Sequence, residues 1–341
     1  MITASVFAFH VTYACPLTCA HCCFRSSPQS KERLDFELIK KTIGNLGNEV
    51  DLIVFTGGEP FLLGNELVKL VDFATRSGYA TRIVTSGYFA RDIEVARLRL
   101  LPLVEAGLKE IAVSWDDYHE EFVRFEDVKN LIYVAYTETA LKICVNIVRG
   151  GNSRWTKARL ARLLPNSQNI DIFESPLNMT GRASDRLKST SVRKSCELGP
   201  CPYVIKSPTL SADGHLLACC GVIPNTERLR IVSDFRGESV QEQIGFAKKN
   251  LLFKWLSVQG PYSIIRWIGE RYGLHVPDRS EIGGNCEACK RLFEGEDFQK
   301  FLDSALEEMS LPIQSELLQL ESLVNAGLVK QMAEPETSVN A

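Results

Sequence analysis

Six short runs of β-branched and aromatic residues, at 6–11, 52–56, 82–85, 111–114, 143–148 and 170–173, limit most strongly what this chain can become. From the second run onward their centres lie about 30 residues apart. The stretches between them carry helical spacing: Leu67, Leu70, Val71 and Ala74 fall at i, i+3, i+4 and i+7. Strand and helix alternating at this period mean βα units and a parallel sheet. Runs that are continuously apolar agree, because such strands are buried on both faces. Six units end near residue 175, whereas a complete eight-unit barrel takes ~250 residues. The expected fold is therefore α/β, as a partial (β/α)6 barrel of the TIM type or an open doubly wound sheet. In either geometry ligands collect at the carboxyl ends of the strands, which filters every motif below.

The pattern breaks after Arg182. The expected domains are 1–185 for the barrel and 186–331 for a small C-terminal domain with helices. Residues 332–341 are expected to be a disordered tail. Asp213-Gly214 reads as the turn of a hairpin. Val240, Ile244, Ala247, Leu251 and Trp255 trace one helix, and residues 298–326 a further amphipathic helix interrupted near Pro312. Trp255, Tyr262 and Trp267 read more readily as core than as a peptide groove.

The chain has 341 residues, 39 basic against 42 acidic, and a formal net charge of −3. No basic face offers itself to nucleic acid, so none is expected as a partner. Residues 1–14 lack the charged and long apolar regions of a secretory signal, and no run approaches 18 apolar residues. A cytoplasmic location with no membrane partner is expected, where thiols stay reduced.

That expectation governs how the 11 cysteines are read. Four lie in 15–23, four in 196–220, two in 286–289, and Cys144 stands alone. Clusters of this kind point to metal ligation. Cys15, Cys19 and Cys22 form C-x3-C-x2-C directly after the first strand. Three thiolates hold three irons of a [4Fe–4S] cluster and leave the fourth open for chemistry. A zinc knuckle completed by His21 or Cys23 is the rival reading, and with it a zinc-stapled binding module without enzymatic activity. Cys23 itself reads as a packed spectator thiol.

CPLTCAHC after the first strand, with Gly57-Gly58-Glu59-Pro60 after the second, resembles the radical S-adenosylmethionine (radical SAM) superfamily. The resemblance covers residues 6–183. It implies that SAM chelates the open iron through its amino and carboxylate groups. It also implies that Gly57, Gly58, Glu59 and Pro60 meet the SAM amino group, by backbone carbonyls and the Glu side chain. Ser86 resembles the ribose-side contact. Ser114, Asp116 and Asn146 sit where polar contacts to SAM are usual, and Arg182, in PLNMTGRA, is placed to meet the SAM carboxylate. Asp117, Tyr118 and His119 are candidate contacts to SAM or peptide, or a loop and helix cap; Trp115 is a core candidate.

Cys201, Cys219, Cys286 and Cys289, with Gly214 between the first two, resemble the SPASM or twitch auxiliary domain, which implies a second, closed [4Fe–4S] cluster. The Asp213-Gly214 turn is expected to put its flanking cysteines on adjacent strands, and Cys196 is an alternative to Cys201. A structural zinc site has the same ligand count. Cys220, next to a ligand in extended chain, points to the opposite side.

Residues 19–30 (CAHCCFRSSPQS), residues 114–123 (SWDDYHEEFV), the Cys219-Cys220 pair and GNC at 284–286 resemble radical SAM peptide epimerases acting on ribosomally made peptides. This implies a precursor peptide as substrate and an external electron donor of the flavodoxin or ferredoxin type. It also implies Cα hydrogen abstraction by the 5′-deoxyadenosyl radical, with Cys220 returning hydrogen from the other face. One departure stands out: the family's Asp after the first auxiliary cysteine is missing from residues 202–207. The alternative activity is a radical SAM peptide crosslinker, forming a thioether or C–C bond.

Overall fold

The computed structural model describes residues 5–187, 198–220, 226–237 and 239–326. Cys196 and residues 332–341 lie outside them.

Six parallel strands, β1 (Val6–Thr12), β2 (Leu52–Gly57), β3 (Ala80–Thr85), β4 (Glu110–Ser114), β5 (Lys142–Arg149) and β6 (Ile170–Pro176), follow one another across the sheet in chain order. Five helices join them: α1 (Phe36–Gly44), α2 (Asn65–Arg76), α3 (Ile93–Glu105), α4 (Phe125–Glu138) and α5 (Lys157–Ala161). Helix starts are set by side chains: Asp35 accepts from Leu38 N at 3.0 Å, and Asp92 from Val95 N at 2.8 Å. The resulting α/β architecture is the partial barrel expected.

Period-two alternation sorts each strand onto two faces. On β1, Phe7, Phe9 and Val11 join the apolar layer under the helices. Val6 and Ala8 turn inward to Val54, Val84, Ala112 and Cys144. Burial of the large outward side chains contributes ~1.5–3 kcal/mol each.

The sheet ends at β6 on one side but continues past β1 on the other. After α6 (Arg182–Arg186), strand β7 (Thr209–Leu210) pairs parallel with β1, and β8 (Leu216–Leu217) and β9 (Arg230–Val232) follow antiparallel. The hairpin turns at Gly214, whose φ of 85° suits glycine. Neither Cys201 nor Cys219 lies within a strand, because β7 and β8 are only two residues long. A second apolar core joins α8 (Leu251–Val258), α9 (Pro261–Tyr272), α10 (Asn285–Glu294) and α11 (Glu296–Asn325).

Two helix expectations need correction. The apolar series from Val240 to Trp255 spans two helices, α7 (Val240–Ala247) and α8. The chain turns between them, and Asn250 caps α8 by accepting from Phe253 N at 3.2 Å. Conversely, α11 runs unbroken through Pro312. Pro312 is exposed, while Met309, Ile313 and Leu317 on either side pack into the second core, offsetting the ~3 kcal/mol a buried-interior proline costs. Trp255 and Tyr262 are buried and Trp267 partly so, all within this core. No described helix is long and apolar enough to cross a membrane.

Candidate active site

The carboxyl ends of all six barrel strands open on one cavity of about 700 Å³. Cys15, Cys19 and Cys22 line it together with Gly57 and Gly58 after β2, Ser86 after β3, Ser114 at the end of β4, and Pro176 at the end of β6. The three thiols are free of disulfides. Burial, then the charge of Glu59, pushes the Cys15 thiol up to about 12, and burial raises Cys19 as well. Three converging thiols, with Cys15 and Cys19 held against ionisation by burial, are a donor set suited to a metal that supplies the missing positive charge.

Backbone packing explains why two glycines follow β2. A Cβ on Gly57 would stand 2.5 Å from the Thr12 carbonyl oxygen, and one on Gly58 would stand 2.1 Å from that of Ala14. Glu59 N then donates to Ala14 O at 2.9 Å. The close approach is thus to the cysteine loop. Glu59 is fully buried and does not line the cavity. Its carboxylate accepts from Thr85 Oγ1 at 2.8 Å, Ser86 N at 3.0 Å, Ser86 Oγ at 2.8 Å and Phe61 N at 3.2 Å. Burial nonetheless raises its pKa. In this geometry Glu59 fastens the β2 exit to the β3 exit, rather than reaching into the cavity as expected. Pro60 is buried at the start of the short 3-10 turn Pro60–Leu63.

Asp116 also turns away from the cavity. It is fully buried and accepts from Tyr118 N at 3.0 Å, His119 N at 3.1 Å and Val148 N at 3.2 Å, and pairs with His119 Nδ1 at 2.9 Å. Burial works against ionisation, but His119, His21 and these bonds hold the carboxyl well below its usual range. His21, His119 and Asp116 cluster closely enough to suggest a metal site, yet Asp116 Oδ1 already accepts three hydrogen bonds and Oδ2 one. His21 and His119 themselves line the cavity, and burial lowers His21 to about 4, keeping its ring neutral. Asn146 sits beside Ser114 with its Oδ1 buried and without a hydrogen-bond partner, and unlike Ser114 it is not among the residues lining the cavity.

A family model described as the radical SAM superfamily matches residues 9–160. The chain contains a radical SAM domain. Among curated proteins, it is 23% identical over 288 residues to YydG of Bacillus subtilis (strain 168), whose name assigns it provisionally to peptide biosynthesis. That match covers 82% of this chain and 89% of YydG. The structure of native anSMEcpe with bound AdoMet and Cp18Cys peptide is similar at TM-score 0.52 and 13% identity, covering 92% of this chain and 99% of that one. BtrN in complex with AdoMet and 2-DOIA is similar at TM-score 0.46 and 16% identity, over 74% of this chain and 87% of that one. The radical SAM domain family implies a [4Fe–4S] cluster and SAM. The free cysteine triad, gathered on the wall of the large cavity, fits such a cluster.

Against the radical SAM domain lies a second, much smaller cavity of about 20 Å³. Cys201, Cys219, Cys286 and Cys289 all line it. Burial first, then the neighbouring sulfurs, pushes Cys201 up to about 11 and Cys286 up to about 12. Four such thiols around one small space match in number a structural cluster or zinc. Cys201, Tyr203, Asn285 and Cys286 line both cavities and form the partition between them.

Cys220 faces the inner side of the barrel sheet, grouped with Val6, Ala8, Val54 and Val84. It lines the smaller cavity and is not among the residues lining the larger. Cys23, read from sequence as a spectator, does line the larger one. Of the acidic and aromatic loop after β4, Asp117 pairs with Arg154 and Trp115 is core against Phe125 and Trp155. Cys144 bonds Glu110 Oε1 at 2.8 Å within the barrel. Sequence reasoning also missed the cavity residues Tyr203, Asn178 and Asn285. The last two lie inside motifs the sequence showed, PLNMTGRA and GNC at 284–286, which was the available signal.

Proposed function

We propose that this chain is a radical SAM enzyme that modifies a ribosomally made peptide, inverting an L-residue to D. The observation that carries the reading is the large cavity: three free thiols and the exits of the parallel strands meet there, with a four-thiol pocket behind the partition. The relative named for peptide biosynthesis supports a peptide substrate. In this reading residues 1–185 form the catalytic domain and 186–331 the auxiliary one.

When bound, the cluster and SAM supply one-electron cleavage of SAM and a carbon-centred oxidant able to take a peptide Cα hydrogen. Cys15, Cys19 and Cys22 hold the first cluster. Gly57, Gly58, Ser86, Ser114 and Asn146 frame SAM, and Glu59 keeps Ser86 in place. Cys201, Cys219, Cys286 and Cys289 hold the second cluster. Cys220 gives its S–H hydrogen atom to the peptide radical, forming the new Cα–H bond. The resulting thiyl regains one electron, ultimately from a flavodoxin- or ferredoxin-type donor, and one proton. No carboxylate replaces the family's missing Asp in 202–207, where Ser207 is buried with a partnerless Oγ.

Turnover in heavy water tests the reaction. Epimerisation adds one deuterium to the peptide; crosslinking removes two hydrogens and adds none. Cys220→Ala is expected to form 5′-deoxyadenosine but no D-residue. A normal D-residue yield from that variant sinks the donor assignment, and loss of the D-residue in Cys23→Ala alone transfers it to the thiol that lines the larger cavity.

A further inference from the structure

Arg182 was expected to reach the SAM carboxylate, and its surroundings say otherwise. It opens α6, directly after the exit of β6, and is buried. From this one residue three donors run to the cysteine loop. Its backbone N donates to Cys22 O at 2.9 Å, Nη1 to Cys19 O at 2.8 Å, and Nη2 to Ser26 O at 2.5 Å. Gly181 makes the approach possible: at φ 54° its missing Cβ would stand 2.1 Å from Cys23 O. The loop from Cys19 to Ser26 is therefore held by three hydrogen bonds from Arg182, with Gly181 packed against Cys23 between them.

Charge makes the second argument. A buried guanidinium needs an anionic partner to offset desolvation. Among the described residues no carboxylate forms an ion pair with Arg182. Its guanidinium is instead spent on the Cys19 and Ser26 carbonyls, on the loop that carries two of the triad's three thiols. The cysteine triad is thus the anion this cation was buried to face.

We infer that Arg182 is a positioning residue for the open cluster, clamping the cysteine loop by its carbonyls and setting a fixed positive charge beside the three thiolates. This rests on the reading of Cys15, Cys19 and Cys22 as cluster ligands. A positive charge close to the cluster favours its reduced form, so its removal makes reduction harder.

The test uses the full chain reconstituted anaerobically, with Cys289→Ser as background so that the open cluster is observed alone. Arg182→Gln and Arg182→Lys are compared for iron content, for the reduction equilibrium of the cluster without SAM, and for SAM affinity. Arg182→Gln is expected to lower the equilibrium constant for reduction at least tenfold, about 59 mV for one electron, and to lose iron several-fold faster to a chelator. Arg182→Lys keeps the charge and is expected to hold the reduction equilibrium within threefold while losing iron faster. A tenfold loss of SAM affinity with unchanged reduction and iron retention overturns the inference and restores Arg182 as the SAM carboxylate ligand. Unchanged behaviour in all three overturns it too. If the parent binds no iron at this site, the cluster reading itself fails, an outcome distinct from either.

Discussion

The two cavities use the same side chain for opposite ends. The larger, at about 700 Å³, is ringed by strand exits and lined by the triad Cys15, Cys19 and Cys22, with Cys23, Cys201 and Cys286 further along its wall. The smaller, at about 20 Å³, is lined by Cys201, Cys219, Cys286 and Cys289, the last two on one helix, α10. Three thiolates leave a coordination position and a large space for a substrate to use it. Four thiolates leave neither. Role follows from how much room and how many vacancies the fold leaves around the sulfur, since Cys15 in one place and Cys286 in the other are raised by the same cause, burial.

The sharpest way to break this contrast is to remove one cysteine from each side. Cys15→Ser should reduce 5′-deoxyadenosine formation by at least about a thousandfold. Cys289→Ser should keep the peptide-free reaction within about tenfold but lower the melting temperature of the C-terminal core. Each variant should fall from about eight irons to about four. Equal loss of SAM cleavage in both would erase the distinction.

A smaller effect separates architecture from ligand binding at the open site. Glu59→Ala leaves four buried donors without an acceptor and should cost about 4 kcal/mol in denaturant unfolding. Glu59→Gln keeps an oxygen and should recover about half of it. A full loss of SAM affinity with unchanged stability would instead return Glu59 to the ligand.

Beneath the open site, His10 provides a pH test. It is fully buried beside Tyr13, and burial lowers its pKa from 6.5 to about 4. The unfolded chain therefore binds more protons between these values, so stability should fall as pH drops from 6.5 to 4. The His10 share is about 3 kcal/mol. His10→Gln should flatten the unfolding free energy by about that amount across this window relative to the parent; an identical pH slope would remove His10 as the cause. Smallest of all, Asp303→Asn breaks the exposed pair with Arg228 on the closed side, and should change stability by less than about 1 kcal/mol.

The barrel was legible because each strand is a dense apolar run and the helices between them carry clean spacing. The open site was legible where a residue's role lies in its own backbone neighbourhood, as for Cys15, Cys19, Cys22, Gly57 and Gly58. It was illegible where the partner is distant in sequence. Glu59 meets Ser86, and Arg182 meets Cys19, through contacts that no local pattern encodes. The α7–α8 break was hidden because apolar spacing continues across it while Asn250, the residue that restarts the helix, looks like any polar position. Pro312 misled in the other direction, since its tolerance depends on the packing of its neighbours.

The pairing of β7 with β1 has a consequence for synthesis. Ala8 lies opposite Thr209, so β1 waits for a partner made about two hundred residues later. Until then the edge of β1, the strand that leads into the cysteine loop, is an unpaired template open to other chains. A nascent barrel is therefore most exposed to aggregation in the interval before the hairpin emerges, and a truncation just short of residue 209 should be far less soluble than one just after β9.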